Sequence, residues 1–306
     1  MSNKYLYREL CAAVGDAVPL FQQAWWLDAV CAGKRWDVVL AFERDSNASV
    51  IAALPYLIGS KFGLRYVVQP QLTQFCGPWF RHGSEADGVE FEHSASQQLI
   101  AQLKRLRLVY FDQNFSPEIT NWLPFHWAGY HETTRYTYRI DDIGDPERVF
   151  AAFHPSQRQQ PIRAIEKRMH VVDKVAPADM AAFHAECLAA KGRKDLLPAS
   201  LIERVVATSV KRGQGLTLAA VDETGVRQGA IFVPYDSRVA YALLLSRRPK
   251  AHNGVIPLLI WEAIKRLSGR CRTFDFEGSM DPGIEHSYRL YGAHQIPYHR
   301  VVGILR

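Results

Sequence analysis

The sequence predicts a mixed α/β protein built as two tandem copies of one fold. Three observations carry this: its length, a set of duplicated landmarks, and the element order of its second half. A chain of 306 residues fits about two domains of ~150 residues each. Hydrophobic residues make up 48% and charged residues 22%, the balance of a folded protein with a real core. That excludes disorder, collagen-like repeats and a disulfide-stapled miniature. The longest apolar run, Val50 to Ile58, contains Pro55 and is too short to span a hydrocarbon layer of ~30 Å.

The landmarks recur in one order. Trp36 to Phe42 is a strand-like run, followed by the polar turn Glu43 to Asn47 and a strand ending Ala53-Leu54-Pro55-Tyr56. Leu216 to Val221, the turn Asp222 to Gly225 and a strand ending Phe232-Val233-Pro234-Tyr235 repeat the pattern. Both read as β-hairpins, because turn residues separate β-rich runs. The two Pro-Tyr pairs lie 179 residues apart. Lys104-Arg105-Leu106 closes a helix leading into Leu108 to Asp112, and Lys265-Arg266-Leu267 closes one leading into Thr273 to Glu277. Their Phe-Asp pairs are 163 apart, as are Gly129-Tyr130-His131 and Gly292-Ala293-His294. Matching landmarks at a shared offset mark an internal repeat.

Between the Pro-Tyr and Phe-Asp landmarks the first copy spends 56 residues and the second 40. The 16 extra residues include the loop around Gln74-Phe75-Cys76-Gly77-Pro78-Trp79. The expected division is therefore a structural or acceptor-side copy at 1–145 and a compact, ligand-holding copy at 146–306.

Within the second copy the elements follow in order. A basic helix spans Gln159 to Met169, with Pro161 early, where proline is tolerated. A short strand, His170 to Lys174, precedes amphipathic helices at Pro177 to Ala190 and Pro198 to Val210. A three-strand meander covers Gly215 to Val221, Val226 to Tyr235 and Arg238 to Ser246. Ile256, Leu259, Ile260 and Ile264 give Gly254 to Leu267 a helical period. A strand at Arg272 to Glu277, a short helix at Ile284 to Tyr291 and a final hairpin complete the chain.

Other chemistries lack their residues. There is no Gly-x-Ser-x-Gly elbow, Gly-Lys-Ser/Thr phosphate loop or Gly-x-Gly-x-x-Gly fingerprint. The five cysteines, Cys11, Cys31, Cys76, Cys187 and Cys271, are scattered and have no Cys-x-x-Cys spacing. No metal site is expected, and the cysteines read as buried thiols, with Cys271 the one conceivable nucleophile. The N-terminus shows no apolar signal core, so a soluble, cytoplasmic protein is expected. A net charge of +6 permits nucleic acid without demanding it. The cations His154, Arg158, Arg163, Lys167 and Arg168 near the domain junction have only Phe150 and Phe153 as nearby aromatics. A nucleic-acid surface built on stacking interleaves its basic residues with exposed aromatics.

Several motifs carry a family likeness: Arg158-Gln-Gln-Pro-Ile-Arg163-Ala-Ile-Glu-Lys167, His252-Asn253-Gly254 before the helix of Leu258 to Ile264, and Phe274-Asp275-Phe276-Glu277-Gly278-Ser279 followed by Tyr291-Gly292-Ala293. With the duplication, the chain resembles the tandem-domain group of the GNAT (acyl-CoA N-acyltransferase) superfamily that includes the Fem-type, FemAB-like transferases. The likeness implies two GNAT-like repeats and an acyl-coenzyme A co-substrate. It departs from the family in two places. The stretch Arg247-Arg248-Pro249-Lys250-Ala251-His252-Asn253-Gly254 keeps one glycine of the usual pyrophosphate loop, and no segment is spare for the helical arm of peptidoglycan-bridge enzymes.

The site expectations follow. A strand-to-helix turn offers free N–H groups and a positive helix end to phosphate. Arg247, Arg248 and Lys250 add charge there, Asn253 caps the helix and Gly254 allows close approach. Asp275 and Glu277, two apart on a strand, share a face and raise one another's pKa. That suits a base taking the proton from an attacking ammonium group. The resemblance makes Tyr288 the acid that protonates the leaving thiolate, and backbone N–H groups at Leu244 and Leu245 the carbonyl polarisers. Lys191 and Arg193, with Arg163, are expected to meet an anionic acceptor. The expected reaction is N-acyl transfer from acyl-coenzyme A to an amine. The alternatives are an aminoacyl-tRNA-dependent transfer onto a cell-wall precursor, and a GNAT-like scaffold without activity.

Overall fold

The structure, a computed structural model, describes residues 1–43, 46–81 and 88–304. The chain forms two compact units, one of residues 1–135 and 297–306, the other of residues 136–296.

In unit 1, α1 (Asn3–Val14) and α2 (Ala24–Val30) precede the strands β1 (Arg35–Glu43), β2 (Ser46–Lys61), β3 (Leu64–Val68) and β4 (Trp79–Phe80). Then come α3 (Gly88–Arg105), β5 (Leu108–Asn114), α4 (Leu123–Trp127) and β6 (His131–Ile140). The Ser2 hydroxyl caps α1 by accepting from the Tyr5 N–H. Lys104 and Arg105 sit in the last turn of α3, where its dipole favours cations. Leu99 and Leu103, four apart on α3, join Leu54, Val67, Phe111 and Tyr130 in the core. β1–β2–β3 is an antiparallel meander, β3 runs parallel to β5, and β5 pairs antiparallel with the chain's last strand.

Unit 2 continues with α5 (Pro146–Ala152), α6 (Pro155–Glu166), β7 (His170–Asp173), α7 (Pro177–Ala189), α8 (Ala199–Lys211), β8 (Gly215–Val221) and β9 (Arg227–Pro234). The remaining elements are β10 (Val239–Tyr241), β11 (Leu244–Arg247), α9 (Val255–Leu267), β12 (Thr273–Asp275), α10 (Pro282–Arg289) and β13 (His294–Ile304), of which residues from Pro297 onward belong to unit 1. The helix–helix–hairpin–helix–strand–helix–strand order of α1 to β6 thus recurs from α7 to β13. Leu218, Ile231, Leu259, Ile264, Phe274 and Phe276 share the core of this unit.

Two expectations change. The strand expected at Arg238 to Ser246 is broken: β10 pairs parallel with β12, while β11 pairs antiparallel with β9 in the order β11-β9-β8-β7. The final hairpin is one strand, β13, carrying Pro297 within it. The closing strands also do not follow sequence order. In unit 2, Ile140 and Arg139 of β6 pair with Phe274 and Asp275. In unit 1, Arg300 to Ile304 of β13 pair with Asn114 to Tyr110. The compact units follow these ladders and meet in sequence at Arg135/Tyr136.

Candidate functional site

β10 and β12 run side by side until Tyr241 and Asp275, and the Ala242 N–H donates to the Asp275 carbonyl at 2.9 Å. Beyond that point the strands part, because β11 joins β9 while Phe276 stays with the Tyr138 carbonyl. β11 is an edge strand, so one row of its backbone groups faces the opening. Antiparallel pairs alternate between hydrogen-bonded and open positions. The Arg248 N–H bonds the carbonyl of its opposite residue Gln228, so Ser246 and Leu244 also face β9. Leu245 and Arg247 present their N–H groups to the open edge. Of the two leucines expected to polarise a carbonyl, Leu244 faces β9 and Leu245 faces the open edge.

The carboxylate pair is not a strand pair. β12 stops at Asp275, and Glu277 has a φ of +62°, which swings its side chain out of the strand alternation. Asp275 is fully buried. Its Oδ2 accepts from the Arg139 Nε at 2.6 Å, and its Oδ1 accepts from the Thr137 hydroxyl at 2.5 Å and the Glu277 N–H at 2.6 Å. Both of its oxygens are thus hydrogen-bonded, one of them to the backbone of the Glu277 turn. Gly278 (φ +69°) follows, and a Cβ there would lie 2.0 Å from the Tyr136 carbonyl oxygen. Glu277 keeps one carboxylate oxygen, Oε1, shut off from solvent with no hydrogen-bond partner. Burial, and then the Asp275 charge, push its pKa well above the carboxyl range.

Tyr288 is half-buried on α10, its ring 5.1 Å from Phe276 and 5.9 Å from Tyr138. Burial first, then Glu277 and Asp275, push its pKa up to about 12. No described residue hydrogen-bonds its hydroxyl. Cys271 is buried, with its thiol pushed up to about 12 by that burial, which leaves it inert as a nucleophile.

The stretch before α9 is differently employed than expected. Asn253 does not cap α9; its Oδ1 accepts from the Arg247 guanidinium at 2.9 Å, and His252 Nδ1 takes the Gly254 N–H at 3.0 Å. Gly254 is needed by helix packing: a Cβ there would sit 2.1 Å from the Gln160 carbonyl of α6. Arg248 bonds Glu186 and the Arg227 carbonyl. Lys250 is exposed, and a cleft of about 310 Å³ opens among Glu186, Cys187, Ala190, Arg248, Pro249 and Lys250. Lys191 and Arg193 lie exposed in the turn closing α7, where Gly192 has a φ of +65°. Arg163, on α6, bonds only Gln159 among the described residues.

Sequence reasoning missed Arg139 and Thr137, whose place beside Asp275 depends on the closing-strand exchange. It also missed His184 on α7, whose Nδ1 meets the Ser246 hydroxyl of β11 at 2.9 Å. Burial lowers the His184 pKa, Asp195 opposing and Lys191 adding. A histidine on the apolar stripe of a helix was the available signal. Among the described residues, no three His, Cys, Asp or Glu side chains group to hold a metal.

No family model matches the sequence, and no curated protein matches it either. Solved structures do match. FemX is similar at a TM-score of 0.68 and 10% identity, covering 97% of this chain and 94% of that one. The C-terminal domain of a lysylphosphatidylglycerol synthetase from Agrobacterium fabrum is similar at 0.60 and 11%, covering 98% and 92%. A tandem GNAT protein from the clavulanic acid biosynthesis pathway is similar at 0.57 and 15%, covering 98% and 93%. Identities this low speak to the fold, and over nearly the whole chain that fold is the mixed α/β tandem of two GNAT-like copies.

Proposed function

We propose that the chain is an N-acyltransferase whose second copy holds an acyl-coenzyme A donor and passes the acyl group to an amine. One observation carries the reading: a buried carboxylate oxygen without a partner, on Glu277, at the mouth of a splayed strand pair whose free edge presents the Leu245 N–H. Glu277, once ionised, takes a proton from the acceptor's ammonium group, and the neutral amine attacks the thioester carbonyl. The Leu245 N–H holds the oxyanion as the C–N bond forms. The C–S bond then breaks: the leaving thiolate takes a proton from Tyr288, Glu277 returns its proton to Tyr288, and the carboxylate so freed takes the second proton of the amine nitrogen and passes it to solvent, leaving a neutral amide and thiol. Arg247, Arg248 and Lys250 form the donor's phosphate end. Lys191, Arg193 and Arg163 meet an anionic acceptor, and the first copy is structural or acceptor-side.

A second reading has its own observation. α6 fills the space at Gly254 where a pyrophosphate would approach, which favours a donor without one. An aminoacyl ester of tRNA, delivered to a cell-wall precursor or a lipid, meets that condition, and the likeness to a lysylphosphatidylglycerol synthetase domain supports it. Thermal shift with coenzyme A, acetyl-coenzyme A and charged tRNA separates the readings. A shift with coenzyme A supports the first, and a shift with tRNA alone supports the second. A melting temperature unmoved by all three leaves a scaffold and overturns both.

A further inference from the structure

In unit 1, β2 pairs with β1 only as far as Ile58, opposite Arg35, and β3 meets β5 from Arg65 onward. Residues 59–64 therefore project past both neighbours as a two-stranded ribbon. Its turn is Phe62-Gly63, with φ values of +53° and +78°, between the last pair, Lys61 and Leu64. The Tyr66 ring lies across Gly59, where a Cβ would be 2.4 Å away, and stiffens the ribbon. A bulky aromatic in the left-handed region is uncommon, and this one adds nothing to the core. Phe62 is 91% exposed and Leu64 54%.

Cations surround this tip. Lys61 and Arg65 flank it, Lys34 precedes β1 and Arg35 begins it, Lys104 and Arg105 end α3, and Arg107 follows that helix. The Arg65 guanidinium reaches the Leu106 carbonyl at 3.4 Å, so α3 ends beside the hairpin. All seven are exposed, and none forms an ion pair among the described residues. Two carboxylates of the same unit are already paired elsewhere. Asp112 is held by Arg300 and Asp28 by Arg8. Beside the hairpin, a cleft of about 740 Å³ has Leu103, Leu108 and Ile304 as apolar lining and Lys104 and Arg107 as charge.

We propose that this end of unit 1 is a docking surface for an anionic lipid bilayer. Phe62 and Leu64 enter the acyl boundary, the cations sit among lipid phosphates, and the cleft takes one headgroup with the top of its chains. A protruding apolar tip within a ring of unpaired cations is what such a surface selects. A free phosphate would make no use of Phe62.

The test is co-sedimentation of the full chain with vesicles of phosphatidylcholine alone, and of phosphatidylcholine with about 30% phosphatidylglycerol, which carries the negative surface potential. Binding is expected only to the anionic vesicles, and is expected to weaken as salt screens the charges. Phe62→Ser and Leu64→Ser should each lower partitioning by about tenfold. Lys104→Ala and Arg107→Ala should each lower it by about fivefold. The exposed tip can be changed without touching the core, so melting temperatures should stay put. Wild-type protein that ignores anionic vesicles, binds neutral ones equally, or binds as tightly without Phe62 and Leu64 would overturn the proposal. So would loss of self-association in Phe62→Ser with vesicle binding intact, which would assign the tip to a second copy of the chain. Vesicle binding needs neither donor nor acceptor, so its failure and failure of the catalytic reading are read separately.

Discussion

Asp112 on β5 and Asp275 on β12 hold the same place in the two copies, and each is clamped by an arginine. Arg300 bonds Asp112 at 2.6 and 2.8 Å, and Arg139 bonds Asp275 at 2.6 Å. Two residues further on, the copies part. Asn114 continues β5 and is fully engaged by the inserted loop. Its N–H donates to Gln69, its side chain to the Gln74 carbonyl, and its own carbonyl accepts from the Cys76 N–H at 2.7 Å. Gly77 then packs so tightly on Phe115 that a Cβ would meet the ring at 2.3 Å. Glu277, the counterpart of Asn114, leaves its strand and keeps a carboxylate oxygen unpartnered. The extra residues of the first copy are thus spent on stopping the position that the second copy leaves chemically available. One framework gives a plugged end and an open one, which supports the proposed division of roles.

The largest expected effect bears on the open end. Glu277→Gln should lower the rate of acyl transfer by about 10²–10⁴-fold, with donor affinity unchanged in a binding titration. Tyr288→Phe should fall near the lower limit of that range. Unchanged turnover in both variants removes these roles while leaving the fold intact.

The clamps come next. Arg139→Met strands a buried carboxylate and should cost about 3–5 kcal/mol in denaturant unfolding. Arg300→Met acts on a partly exposed pair and should cost about 1 kcal/mol. Equal costs would mean that the two aspartates are not differently buried. The Asp112 pKa is lowered, Arg300 and Tyr110 outweighing the opposing effect of burial, so its contribution is present at neutral pH and lost on acidification.

The Glu277 carboxyl is raised, so the sign reverses. Its protonated folded form is favoured at low pH, and that contribution drains as pH climbs from about 4.3, the unfolded value, towards the raised folded one. Glu277→Gln cannot ionise, so its stability should gain on wild type as pH rises through that window. A thermal-unfolding series from acid to neutral pH reads the difference, and parallel curves would deny the raised pKa. The smallest effects belong to Lys191→Ala and Arg193→Ala, which should stay within ~0.5 kcal/mol of wild type in stability. For an anionic acceptor they should raise KM without changing kcat; an unchanged KM assigns the loop to solvent.

Much of this was legible in residue order. The repeat landmarks fall at matching elements: Gly129-Tyr130 before β6 and Gly292-Ala293 before β13, each Phe-Asp pair in the strand after a helix. The apolar spacing of Ile256, Leu259, Ile260 and Ile264 located α9 to within a residue. Other features were not legible. Val239 to Arg247 holds no glycine, proline or turn residue at its middle, so no local signal marks the break at Ala242 and Leu243 where it changes sheets. Glu277 follows Asp275 at strand spacing, and a positive φ at glutamate has no sequence signature. Gly254 invites a phosphate in sequence and receives a helix backbone in space.

Composition, periodicity and repetition, all local or near-local properties of the chain, by themselves determined the α/β class, the duplication and the inequality of the copies. Tertiary structure alone decided which strand closes which copy, and with it the pairing of Asp275 with Arg139 and Thr137. It also decided that Glu277 keeps a free oxygen and that the Lys61 to Arg65 turn stands clear of its neighbours. Those outcomes depend on residues more than a hundred positions apart meeting across a ladder, and on a strand edge left unpaired. A sequence records neither.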